Sequence, residues 1–579
     1  MAAAAPSSST TSLSWPQQLA VYALIFTALL LLHAPLLRLP YFWDEAGYYI
    51  PAAHDLYVGG ALIPHSTISN AHPPLVLAWL ALAWRVFGFS PPVTRTAMLG
   101  MAAFSLLGLF RLARLAANPA VACATVLLVA LYPVFFSQSS LAQLDLAAVG
   151  LTLWGLLAWV EDRPLGQIAW FTLAALTKET AILAPVALLV WDRGVRLLVV
   201  WETRQAASLR PRLAALAPPG ERRSHGAILL LPLLPLACWY IFHYAKTGYL
   251  LGNPEFVRYN VTATIDAVRI PIALGIRLWQ MFGYFGLWLL TLAGALAMTR
   301  EPLISDPVTQ RVPERSGLRV AQRFSAARCF FSSAALAAEV NRPRPRIPLW
   351  IQGAFFSVTL VYVLFMTLIG GAALARYMLP VVPLVMMVLI STLWRRVRYW
   401  GLIVVAIAIV FVTGLFHNPP YSFSLEDNLA YRDFVLLHRE AIGVLERQFP
   451  QACVLTAWPA SDELNRPWLG YVSKPVPVVR IEDFTSAEIA RAVAERDQFD
   501  VALVFSTKYE PEHPIFENWS WWRHIKERYF GYHRDLKPEE IARRLDGRLL
   551  FRKEMKGQWV GIIGLSRPAD LAISPDQQK

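Results

Sequence analysis

Charge and cysteine are both scarce in this chain. Only 16% of its 579 residues are Asp, Glu, Lys or Arg, against roughly a quarter in an ordinary soluble domain. A soluble protein that binds nucleic acid through a basic surface would carry far more, and a disordered chain could not hold 56% hydrophobic residues. Four cysteines exclude a disulfide scaffold, and no CxxC spacing offers zinc a site. Neither a glycine-rich phosphate loop nor a 20–50-residue repeat is present. What charge there is leans one way: 53 Lys and Arg against 40 Asp and Glu give a net +13, in a chain of mean hydropathy +0.42. Scarce, one-sided charge in so apolar a chain reads as a polytopic membrane protein whose basic residues are confined to one side.

A spanning helix needs about 20 apolar residues. Candidate spans fall at 19–37, 95–111, 119–136, 146–160, 227–244, 273–298, 349–370, 378–394 and 400–416. The apolar stretch 166–191 carries Lys178-Glu179 at its centre, where a charge pair in mid-bilayer is costly. It is expected to be two short helices meeting at one membrane face around Thr177–Glu179. The segment 73–89 opens with Pro-Pro and contains Arg85, and is expected to be half-inserted or interfacial. Residues 192–226, 299–346 and 395–398 together hold nineteen arginines against seven acids, a net of +12. One topology puts all three in the cytoplasm, as positive-inside bias requires: N-terminus inside, 73–89 not crossing, 166–191 crossing twice, about 11 spans (up to 13), and the C-terminus outside. The first apolar run lacks a basic leader and reads as a span, not a cleaved signal peptide.

The expected domains are a flexible tail at 1–18, an α-helical membrane domain at 19–416 and an extracytoplasmic α/β domain at 421–579. Within the membrane domain, 38–72 is the first outer loop and 299–346 a basic cytoplasmic loop. In the last domain the pattern predicts helices near 427–448, 486–495 and 537–544. Strands are predicted near 454–458, 478–481 and 499–506, with a terminal hairpin turning at Lys556-Gly557.

This topology brings a set of polar residues to the outer face. Asp44 and Glu45 follow the first span, and a helix there would place Tyr48 one turn after Asp44. An acidic pair there has two readings: a helix start favoured by the dipole, or a base or ligand for a divalent cation. His72 precedes Pro73-Pro74 at the membrane surface, within reach of a phosphate. Asp145 precedes a span as an N-terminal acid, and Lys178 and Glu179 reach the same face. Arg376-Tyr377 puts an arginine where the positive-inside trend disfavours one. Arg258 and Arg269, among aromatic neighbours, could form with it a cationic site for a phosphate group.

The motifs WDEAGYY, HPPL, QLDLAA, LTKE and ARYMLPVVP follow one another in an order that resembles the GT-C membrane glycosyltransferases. The resemblance is to the protein O-mannosyltransferase and lipid A aminoarabinose transferase group in particular, over roughly 40–400. It implies an enzyme that moves a sugar from a polyprenyl-phosphate donor to a lipid, glycan or protein acceptor at the outer face of the cytoplasmic membrane. It implies Asp44 as catalytic base with Glu45 beside it, and Asp145 as a second acid lining the site. His72 stands where the aminoarabinose enzymes have the lysine of a Lys-Pro-Pro motif. Lys178 and Arg376 match positions near the carrier phosphate, and Arg258 is placed there by location alone. A single displacement would invert the anomeric centre. Two other readings use the same residues differently: a flippase for lipid-linked sugars, which predicts a two-fold hydropathy symmetry not found here, and a non-catalytic scaffold whose outer domain binds a partner.

Overall fold

The computed structural model describes residues 13–205, 226–303, 344, 346–515 and 517–565. Much of the arginine-rich segments 192–226 and 299–346, and residues 1–12 of the expected tail, lie outside the described residues. The first helix, α1 (Trp15–His33), begins inside that expected tail, with Ser14 as its cap and the Ser14 N–H donating to Gln17 Oε1 at 3.0 Å.

After α1 come α2 (Ile50–Gly59), α3 (Leu75–Phe87), α4 (Pro91–Ala116), α5 (Pro119–Leu131), α6 (Pro133–Gln138), α7 (Leu144–Val160), α8 (Pro164–Thr177) and α9 (Leu183–Gln205). The membrane part continues with α10 (Leu233–Thr247), α11 (Pro254–Asn260), α12 (Arg269–Phe282), α13 (Leu287–Met298), α14 (Leu349–Leu368), α15 (Val382–Arg396) and α16 (Trp400–Phe416). Among the described residues, five segments are long and apolar enough to cross a membrane by length and composition: Trp15–Leu36, Pro91–Ala116, Gly226–Thr247, Arg269–Met298 and Leu349–Leu368. The chain is a multi-pass membrane protein. At 13 residues, α3 is about 20 Å long, short of a hydrocarbon layer of about 30 Å.

Three breaks shape this part. Lys178 is extended (φ −149°, ψ 130°) and ends α8, so 166–191 is two helices, as its central charge pair predicts. Tyr132 is extended ahead of Pro133, as a residue before proline prefers, and divides the expected span 119–136. The expected single span 273–298 is divided as well. Phe285 (φ 48°) and Gly286 (φ 86°) take left-handed backbone between α12 and α13, a conformation no helix can carry through.

The C-terminal part contains α17 (Ala430–Gln448), β1 (Val454–Ala457), α18 (Ala460–Asn465), β2 (Val478–Ile481), α19 (Ser486–Ala494), β3 (Val501–Phe505), α20 (Ser520–Phe530), α21 (Pro538–Arg544), β4 (Gly547–Met555) and β5 (Gln558–Leu565). The sheet order is β2-β1-β3-β5-β4, with β1 parallel to β2 and β3, and β5 antiparallel to β3 and β4. The predicted strands form. The hairpin turns at Lys556 (φ 48°) and Gly557 (φ 79°), two left-handed residues that match strand twist in a two-residue turn. Its tip meets the end of α16, where Lys556 Nζ donates to the Phe416 carbonyl at 3.0 Å.

The C-terminal sheet does not have a core of its own. One apolar cluster runs from Leu36, Tyr41, Phe42, Ile50 and Trp84 of the first loop and α3 into Phe434, Leu455, Val504 and Ile562 of the C-terminal part. Trp458 lies 5.3 Å from Trp43 and 5.5 Å from Tyr48, ring centre to ring centre. A Cβ on Gly47 would stand 2.3 Å from the Trp458 indole nitrogen, so glycine is what lets the two parts close. Gly47→Ala is expected to cost about 1–3 kcal/mol through overpacking. A lower unfolding temperature in detergent checks this, and an unchanged one would show that Trp458 can move aside.

Candidate active site

Five chain segments converge beneath the loop that follows α1. The left-handed Trp43 (φ 44°) turns the chain, and Asp44 then caps a short π-helical turn, Glu45–Tyr49. Asp145 lies in the first turn of α7. Lys178 sits at the break after α8, and Arg376 on a 3-10 turn, Ala375–Met378. Glu426 comes from another 3-10 turn, Leu425–Asp427, in the connection between α16 and α17. The loop ahead of Arg376 is held by a buried arginine of α12. Arg277 Nε donates to the Met366 carbonyl at 3.1 Å and Nη1 to that of Leu374 at 2.9 Å.

Arg376 is the hub. Its Nη2 donates to Asp44 Oδ2 at 2.8 Å, and its Nη1 to both Glu426 Oε2 and Gln143 Oε1. Its Nε lies 3.4 Å from Asp145 Oδ2. The other Asp145 oxygen accepts from Lys178 Nζ at 2.5 Å, and that ammonium lies 4.3 Å from the Tyr377 ring centre. Gln143 Nε2 donates to Glu426 Oε2 at 2.7 Å and closes the ring. Three carboxylates therefore share two cations. The side chains of Asp145, Glu426 and Arg376 are 6%, 4% and 5% exposed, whereas Asp44 is 21% exposed. Asp44 Oδ1 carries no hydrogen bond among the described residues. At the edge of the cluster, His72 Nδ1 lies 3.0 Å from Glu179 Oε2.

The structure thus brings together Asp44, Asp145, Lys178, Arg376 and Tyr377, and sets His72 nearby through Glu179. It separates the others. Glu45 is completely buried and faces a different arginine. Its Oε1 accepts from Arg95 Nη1 and from the Ala142 N–H at 2.5 Å, and its Oε2 from the Phe42 N–H at 2.9 Å. Arg95 also donates to the carbonyls of Pro40 and Ser140, each at 2.9 Å. Glu45 is a bolt joining the first loop, α4 and the turn before α7, with no face left for a substrate.

The expected metal pair fails for the same reason. Asp44 and Glu45 are committed to separate arginines, and among the described residues no group of three or more His, Cys, Asp or Glu is placed to hold an ion. Tyr48 turns to Trp458 and the outer domain. Its neighbour Tyr49 lies within electrostatic reach of Asp44, Asp145, Arg376 and Tyr377, because the π turn is wider than the α-helical turn the sequence implied. Arg258, on α11, is exposed and outside the cluster. Arg269 is spent on the carbonyls of Gly370, Gly371, Thr264 and Tyr529. Arg376 Nη1 and Nη2 are given to protein carboxylates and an amide, as Lys178 Nζ is to Asp145 and His72 Nδ1 to Glu179.

Sequence reasoning missed Glu426 and Gln143. The available signal was an acidic pair, Glu426-Asp427, directly beyond the last apolar helix. Asp427 accepts from Tyr284 Oη at 2.7 Å. Burial, with the charge of Glu426 adding to it, pushes its carboxyl up to about 8 against the opposing effects of Tyr284 and Arg376. A folded-state value above the unfolded one means that stability is full below the unfolded pKa, near 4, and is lost as pH rises through about 8.

Thermal unfolding across pH 4–9 is expected to show this loss, and Asp427→Asn to flatten it. An unchanged slope in the variant would assign the loss to another group. Glu45→Ala strands the buried Arg95 and is expected to cost about 3–5 kcal/mol, while replacing both with apolar residues recovers much of the loss. Unfolding curves of the single and double variants check it.

Residues 71–217 match the family described as dolichyl-phosphate-mannose-protein mannosyltransferase. No curated protein matches the chain. Solved structures similar to it include ArnT from Cupriavidus metallidurans in the apo state, 12% identical with a TM-score of 0.47, covering 94% of this chain and 98% of that one. The same protein bound to undecaprenyl phosphate is 12% identical with a TM-score of 0.46, covering 95% and 98%. The apo oligosaccharyltransferase of Archaeoglobus fulgidus is 12% identical with a TM-score of 0.38, covering 86% and 70%. Over residues 71–217, which include His72, Asp145 and Lys178, the chain carries the pattern of the dolichyl-phosphate-mannose-protein mannosyltransferases, the group its motifs resemble.

Proposed function

We propose that this chain is a membrane glycosyltransferase that moves a sugar from a polyprenyl-phosphate donor to an acceptor hydroxyl at the outer face of the cytoplasmic membrane, with inversion. The observation that carries this reading is Asp44. It is the most exposed carboxylate of a buried ionic cluster, oriented by Arg376 through one oxygen and open at the other.

The chemistry follows from that arrangement. The acceptor oxygen attacks the anomeric carbon from the face opposite the phosphate, and the bond from that carbon to the phosphate oxygen breaks with its electron pair leaving on oxygen. The hydroxyl proton passes to Asp44 Oδ1 as the new glycosidic bond forms. The departing phosphate is met by Lys178 and His72, whose charge and N–H groups stabilise it best in the transition state. Arg376 orients Asp44 through one oxygen and is shared with Asp145 and Glu426. The C-terminal domain, on this reading, lies on the periplasmic side.

Sugar transfer from polyprenyl-phosphate donors by purified protein in liposomes tests the proposal. Asp44→Asn is expected to lower turnover by about 10²–10⁴-fold, with donor binding retained. Undiminished transfer would remove Asp44 from the role of base. Translocation of the lipid-linked sugar without transfer would favour the flippase.

A further inference from the structure

The helix α20 has no counterpart in the sequence reading, and its surroundings place it at a definite height. Tyr529 and Phe530, at its end, sit on Arg269, the first residue of α12. Arg269 Nε donates to the Tyr529 carbonyl at 3.1 Å, and its guanidinium lies 5.1 Å from the Phe530 ring centre. The chain before α20 is tied to the exit of α16: the Ile515 N–H donates to the Pro420 carbonyl at 3.1 Å, and Glu517 Oε1 accepts from Ser422 Oγ at 2.8 Å. Tyr421, between those two anchors, lies 6.2 Å from Trp279 of α12. The segment is therefore fixed to the start of α12 at one end and to the exit of α16 at the other.

Both helices expose large apolar side chains. Along α12, Arg269, Arg277 and Gln280 are buried together with Ala273 and Met281, while Leu278, Trp279 and Phe282 are exposed. Large apolar side chains left exposed on a membrane helix face hydrocarbon. At the end of α20 away from Arg269, Trp519 and Trp521 are 47% and 57% exposed, with their rings 5.7 Å apart. Arg523 and Arg528 lie on the same helix, exposed. Tryptophan at the end of a lipid-facing apolar band, with arginine beside it, is the composition of a headgroup-layer anchor.

We infer that Trp519 and Trp521 of α20 insert into the headgroup layer of the outer leaflet and form a lipid-seated lip of the outer domain. The occupant of this surface is the bilayer, because the segment that carries the tryptophans is tied at Tyr529 to the start of α12 and, through Ile515 and Glu517, to the exit of α16. The lip fixes the height of the C-terminal domain above the membrane. It requires only the membrane embedding of α12 and α16, and stands or falls apart from the transferase reading.

Nitroxide labels in a cysteine-free background, reconstituted in phosphatidylethanolamine–phosphatidylglycerol vesicles, test it. Trp521→Cys is compared with Ile409→Cys on the exposed side of α16 and with Arg543→Cys, 76% exposed beside Asp546 at the end of β4 remote from the hairpin tip. The label at 521 is expected to be several-fold less accessible to a water-soluble nickel complex than that at 543, and accessible to oxygen as at 409. Nickel access at 521 equal to that at 543 would overturn the inference, as would exclusion of both reagents, which would mean protein covers the site. Trp519→Cys repeats the measurement independently if the first variant folds poorly.

Discussion

The arrangement of this protein turns on one guanidinium. Arg376 is buried, so its charge must be met inside the structure, and it is met by Asp44, Asp145 and Glu426 together. An unpaired buried charge costs several kcal/mol, and none of these partners is near Arg376 in sequence. The first loop, the start of α7 and the connection after α16 are each held in place by the need to close this cluster. Lys178 then balances the second oxygen of Asp145. Of the three carboxylates around Arg376, Asp44 is the most exposed, and its Oδ1 carries no hydrogen bond among the described residues.

A second constraint works at right angles to the first. The apolar cluster shared by the first loop and the sheet, the Gly47–Trp458 contact and the Glu45–Arg95 bolt hold the first loop from above and from the side. The acidic pair Asp44-Glu45 therefore divides its labour between adjacent positions: one carboxylate faces the cluster and the other anchors the loop that carries it. Adjacent residues in a π turn point in different directions, and a shared role for both was never geometrically available.

Much of this was legible in the sequence where the physical signal is local. A charge pair inside an apolar stretch broke the helix at Lys178, alternation and Lys556-Gly557 marked the strands and the last hairpin, and the convergence of Asp44, Asp145, Lys178 and Arg376 followed from assigning loops to sides. What could not be read was set by tertiary pairing. Whether an acid is a base or a bolt depends on which arginine it meets, and Arg95 is the first residue of the expected span 95–111, with nothing to mark it as a partner for Glu45. Glu426 falls inside the expected domain 421–579, so the sequence does not group it with the membrane site. Tyr48 was favoured over Tyr49 because the spacing assumed 3.6 residues per turn, and the division of 269–298 was hidden by its unbroken hydropathy.

The connection at Leu425–Asp427 changes what the boundary between the two parts means. In most multidomain chains the stretch between modules is a tether, and either module can be exchanged without disturbing the other. Here that stretch contributes Glu426 to the ionic cluster and Asp427 to Tyr284. Both partners, Arg376 and Tyr284, belong to the membrane part, so recombination at the apparent seam would separate a charge from its counter-charge.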